Sequence, residues 1–144
     1  MKTITIKTIE RTYHNFGSHA EQALAYTLTN EMRTHDRVPY DQGSDIPEHH
    51  MSVKSARFTL MSGNLSTSNT FDGMVNEFFE KVVSTQFAYV TQDMQCFVMN
   101  KTEFREFVNL FCTTDRESSA HGGALKVRMK SESQEVLKWL SMGV

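Results

Sequence analysis

Apolar positions change their period several times along the chain, and each change predicts an element. Residues 3–10 alternate, with Ile4, Ile6 and Ile9 set among Thr and Lys, the two-residue period of a strand at a sheet edge. Phe16-Gly17-Ser18 breaks that pattern. Ser18 followed by Glu21 has the spacing of a capping box, in which a hydroxyl and a carboxylate satisfy the first free N–H groups of a helix. Over residues 19–33 the period lengthens to that of a helix, with Leu24, Ala25, Leu28 and Met32 in one stripe. Glu21 lies on that stripe, four residues before Ala25. A carboxylate there is a cap or a group held in a site.

Residues 34–50 are polar and rich in turn formers, including Pro39, Gly43 and Pro47. Residues 50–60 read as one strand, carrying Val53, Phe58 and Leu60. Residues 61–70 read as a loop, and 71–83 as a helix with Met74, Phe78 and Val82 in a stripe. Short strands at 87–91 and 96–99 flank Gln92-Asp93 as a hairpin. Asn100 and Glu103 form a second capping box, opening a helix whose Phe104, Phe107, Val108 and Phe111 share a face. Residues 113–123 read as a loop and 125–129 as a strand, and Ser131 opens a last helix through Val136, Leu137 and Leu140. Interleaved strands and helices predict a single α/β domain, a central mixed sheet flanked by helices on both faces.

Composition narrows the class. The chain has 144 residues, 39% of them hydrophobic, 22% charged and 10% aromatic. A chain of this length buries roughly 68–70% of its unfolded surface, enough for one core without staples. No apolar run approaches the roughly 20 residues of a membrane span. The first residues lack the apolar segment of a secretory signal, so the expected location is the cytoplasm. The net charge is −2, from 15 Lys and Arg against 17 Asp and Glu, which excludes a uniformly basic nucleic-acid coat but not a local basic cleft. Cys96 and Cys112 lie in apolar contexts and read as small buried hydrophobes. Two thiols in separate elements give no zinc finger.

One stretch carries candidate chemistry. Ser52 and Lys54 stand two apart on a strand and so share a face. An unpaired ammonium on the apolar side of a strand is costly and calls for a carboxylate, phosphate or metal-bound water nearby. Asp45, after Gly43-Ser44, and Glu21 are the candidates. Each has a plain structural reading as well: a cap for Glu21, an Asx turn for Asp45, and an aliphatic stem reaching from an edge strand to water for Lys54. His49-His50 point to opposite faces of an extended chain and do not grip one ion together. Residues 113–123, with Arg116, His121 and Gly122-Gly123, read as a loop able to touch phosphate.

The order Glu21 on a helix, then Gly43-Ser44-Asp45-Ile46, then Ser52-Val53-Lys54-Ser55-Ala56-Arg57, resembles the PD-(D/E)XK superfamily of restriction-endonuclease-like nucleases. The resemblance spans residues 17–60, under half the chain. It implies a restriction-endonuclease-like core and magnesium- or manganese-dependent hydrolysis of DNA. It implies that Asp45 and Glu21 hold the cation with the Val53 carbonyl, and that Lys54 positions the attacking water. Two positions depart from the pattern. Ser52 stands where the family has a carboxylate, which makes it a weak ligand at best and shifts weight to Glu21. Ser44 precedes Asp45 where the family has proline. Small members commonly cut as dimers, one strand per subunit, and the self-contained chain fits a phage or mobile-element source. The alternative is a non-catalytic DNA- or protein-binding module on the same scaffold.

Overall fold

A computed structural model describes residues 1–10, 15–32, 44–116 and 124–144. Among these, seven strands and four α-helices alternate in the order β1 (Lys2–Thr5), α1 (Phe16–Thr29), β2 (Met51–Ser55), β3 (Thr59–Ser62), α2 (Phe71–Lys81), β4 (Gln86–Val90), β5 (Gln95–Asn100), α3 (Lys101–Phe111), β6 (Cys112–Arg116), β7 (Leu125–Met129) and α4 (Gln134–Met142). The α/β class and the mixed sheet are as the periodicity implies. The architecture differs in having two sheets rather than one. The first runs β1-β5-β4-β2 and the second β3-β7-β6. In the first, β2 pairs with β4 in parallel while β4–β5 and β5–β1 are antiparallel. A parallel pair needs a long crossover, supplied here by β3 and α2.

Residues 50–60 divide because Arg57 takes a left-handed backbone, φ 64°, where the Phe58 N–H donates to the Ser55 carbonyl. The chain leaves the first sheet there and enters the second. Cys112–Arg116, most of it within the loop expected over 113–123, is a strand because β7 pairs with it residue for residue. Its four polar residues, Thr113 to Arg116, hid it, since they are half-buried or exposed.

Each face of the first sheet carries a core. On one, Ala20, Leu24 and Ala25 of α1 pack on Met51, Ala88, Val90, Cys96 and Val98. On the other, Phe87, Tyr89, Phe97 and Met99 meet α2, α3, α4 and the inner residues of the second sheet, Leu60, Val127 and Met129. Phe104 lies at the centre of that second core, stacked on Phe87 with ring centroids 4.4 Å apart.

Helix starts follow local chemistry. Asn100 and Glu103 form the capping box expected of them. The Ser18/Glu21 capping box does not form. Asn15 caps α1 instead, its Oδ1 accepting from the Ser18 N–H at 2.7 Å, so Ser18 is already helical and Glu21 lies beyond the first turn. An Asn side chain caps at least as well as Ser, and starting at Phe16 lets that ring join the α1 core. α4 likewise opens on Ser133, two residues after the expected Ser131. No helix among the described residues is long and apolar enough to cross a membrane.

Candidate functional site

β2 is an edge strand, and its open side is closed by the residues just before it. Ile46 and Met51 exchange backbone hydrogen bonds around the short helical turn Pro47–His49. One residue earlier, Asp45 Oδ2 accepts from the Val53 N–H at 2.7 Å. Asp45 thus stands in for the missing neighbouring strand. In a strand the N–H and C=O of one residue project the same way, so the Val53 carbonyl shares this edge with the Asp45 carboxylate.

A chain of three hydroxyls, two of them buried, holds that arrangement. Ser84, 1% exposed and placed between α2 and β4, bonds Ser44 on one side and Ser52 on the other, each at 2.7 Å. Ser52 is therefore turned to Ser84. Sequence reasoning had no means of finding Ser84, whose partners lie 40 and 32 residues away.

Lys54 follows the alternation. The β2–β4 register pairs Ser52 with Phe87 and Lys54 with Tyr89, so both project into the core between the two sheets, away from α1. The Lys54 ammonium sits over the Phe58 ring, 6.0 Å from its centroid. Loss of solvent pulls its pKa below the usual lysine value, and the negative charge of Asp45 opposes that shift in part. Cys112, at the start of β6, is its other electrostatic neighbour, and burial pushes that thiol up to about 12. Sequence reasoning missed Phe58 and Cys112 as neighbours because both come from the second sheet or its approach.

Glu21 lies on the other side. α1 packs on the face of β2 that carries Met51 and Val53, and its first turn runs close to Ser55, whose Oγ is 3.5 Å from the position a Cβ on Gly17 would take. Glu21 Oε1 is shut off from solvent. The structure therefore joins Asp45, Val53 and Lys54 around one stretch of β2 and keeps Glu21 and Lys54 on opposite faces. Among the described residues no three His, Cys, Asp or Glu side chains converge as a metal cluster. The oxygens that the edge offers a hard cation are the second Asp45 oxygen and the Val53 carbonyl. That suits magnesium, which takes one or two carboxylates and keeps several waters.

The remaining candidates have backbone roles or fall outside the described residues. The His50 carbonyl accepts from Thr85 N–H and Gln86 N–H, and the His49 carbonyl from the Gln86 side chain, tying the turn to β4. His121 and Gly122-Gly123 lie outside the described residues. No family model, curated protein or solved structure matches the chain.

Proposed function

We propose that the chain is a magnesium- or manganese-dependent DNA endonuclease whose site is the open edge of β2. The observation that carries this reading is the Asp45 carboxylate fastened to the Val53 N–H beside a lysine held out of water. Asp45 and the Val53 carbonyl would hold the cation, with Glu21 approaching from α1. Bound there, the cation would stabilise charge on the scissile phosphate and acidify a water. Asp45 keeps its orientation because one oxygen is spent on the backbone and the Ser44–Ser84–Ser52 chain fixes the residue before it. Lys54, poorly solvated and so readier than a surface lysine to release its proton, would orient the attacking water or the phosphate oxygen. One such site per chain means that cutting both strands takes two copies.

A second reading has its own support. Ser52 is bonded to Ser84 where the nuclease pattern has a ligand, and no cluster of three metal-ligating side chains converges among the described residues. Both favour a DNA- or protein-binding module. Supercoiled plasmid, incubated in magnesium and in manganese, separates the two. The nuclease reading expects nicking by wild type and none by Lys54→Ala or Asp45→Ala, with circular dichroism unchanged. No nicking by wild type in either metal, or equal nicking by both variants, refutes it.

A further inference from the structure

Asp45 and Lys54 meet the same stretch of β2 without touching each other. Asp45 Oδ2 accepts from the Val53 N–H, so its carboxylate lies in the plane of the first sheet, beyond the edge. The Lys54 side chain leaves the strand across that plane, toward the core between the sheets. The ammonium feels the Asp45 charge, yet among the described residues no ion pair joins the two. It rests over the Phe58 ring instead, 6.0 Å from the centroid.

Phe58 is a fixed perch. Its N–H donates to the Ser55 carbonyl and its own carbonyl accepts from the Met129 N–H, each at 3.1 Å, which ties it to β2 and β7. Its ring packs against Phe104, Phe107 and Tyr89, with centroids 6.0, 6.2 and 6.3 Å away. Lys54 is not held in this way. Tyr89, its partner across β2 and β4, donates its hydroxyl to Glu132 at 2.8 Å. The Cys112 thiol, pushed up to about 12, carries no charge at neutral pH. Neither gives the ammonium a counter-charge. The residue is half-buried, and its four-carbon stem lets the ammonium swing. A cation held by a ring face alone gives way to an anion that offers it a charge-assisted hydrogen bond.

We propose that Lys54 has two stations: stowed over Phe58 in the free protein, and swung to the Asp45 edge when a DNA phosphate arrives there. Phe58 is the positioning residue that holds it back. This regulation of the site rests on the nuclease reading and adds how the site stays idle without substrate. The cation end, Asp45 and the Val53 carbonyl, is preformed. The lysine end is completed by the substrate, which binds the swung-out state and so shifts the population toward it.

The test reads the Lys54 ε-methylene protons by NMR in protein carrying carbon-13 lysine, assigned by their loss in Lys54→Met. In the free protein they should lie upfield of exposed lysines such as Lys101 and Lys138, shielded by the Phe58 ring, and magnesium alone should leave them there. A short phosphorothioate DNA duplex in magnesium, which resists cutting, should move them to the position of the exposed lysines. Phe58→Leu should place them there before DNA is added. It should also raise plasmid nicking about two- to fivefold at subsaturating DNA, the weight of one cation–π contact. The wild-type spectra do not depend on that variant folding. Unshielded signals in free wild type, signals that stay upfield once the duplex is bound, or a folded Phe58→Leu that nicks no faster would each overturn the proposal. Nicking by wild type with unmoved Lys54 signals would leave the nuclease reading standing and refute the stowed lysine. Neither nicking nor binding by wild type would refute both.

Discussion

Replacing Lys54 with methionine should make the protein more stable while removing its proposed activity. Among the described residues no side chain hydrogen-bonds the ammonium, which lies over Phe58 and is poorly solvated. Replacing whole buried ion pairs with apolar side chains of similar volume is neutral to stabilising by about 1–4 kcal/mol, and a single poorly solvated lysine falls toward the low end of that range. Lys54 is half-buried rather than sealed, and the Phe58 ring returns about 0.5–1 kcal/mol of the cost of desolvation. Asp45 keeps its hydrogen bond to Val53 in the variant, so no partner is stranded. The net gain should be about 1–2 kcal/mol, or a rise in Tm of about 2–8 °C for a chain of this size.

The pH dependence carries the sign. A lysine with a lowered folded pKa binds fewer protons folded than unfolded between the folded value and the ordinary lysine value of 10.5. Wild-type stability therefore climbs across that window relative to the variant. The advantage of Lys54→Met is full at pH values below the folded pKa and shrinks as pH rises toward 10.5. Urea unfolding at several pH values reads both quantities. A variant less stable than wild type by about a kcal/mol or more at neutral pH would show that the Lys54 ammonium is not a net cost to the fold, and a difference that stays constant across the alkaline range would show that its pKa is not lowered.

Other perturbations have defined outcomes. Ser84→Ala removes the hydroxyl that bridges Ser44 and Ser52 and should cost about 1–3 kcal/mol in urea unfolding; a loss below the error of the method would show that the chain of hydroxyls is not holding the loop. Glu77 accepts from Lys81, Ser66 and the Thr67 N–H, and these contacts hold its carboxyl at about 2. Its stabilisation is present above the ordinary glutamate value of 4.5 and lost as pH falls toward about 2, so Glu77→Gln should flatten acid unfolding monitored by circular dichroism in that window, and an unaltered profile would contradict it. Burial raises both the Cys96 and Cys112 thiols to about 12, so neither should react readily with a disulfide reagent before unfolding.

How far the fold was legible depended on where each element's partners lie in the chain. The hairpin at Gln92-Asp93 and the Asn100/Glu103 cap could be read because their hydrogen bonds close within a few residues. The α1 cap was misplaced by a competing local signal: Asn15 took the role that Ser18 also matched. β6 could not be read because Thr113, Thr114 and Asp115 become a strand only against β7, across a segment of chain that carries no period of its own. At the site, the period of two correctly put Ser52 and Lys54 on one face. Which core that face meets was invisible, because it depends on how the sheet is ordered. Thus Lys54 went to the side of Phe58 and Cys112, and Glu21 to the other. Asp45 was legible as a turn residue, but its bond to the edge of β2 follows from β2 having no outer neighbour.

In the proposed mechanism the Asp45 edge of β2 holds a divalent cation. The direct measurement is paramagnetic broadening by manganese in the amide spectrum of isotopically labelled protein, wild type beside Asp45→Asn. Selective loss of the Ile46, Val53 and Lys54 amide signals at substoichiometric manganese, abolished in the variant, is the predicted result. Broadening centred elsewhere, or the same broadening in Asp45→Asn, would contradict it.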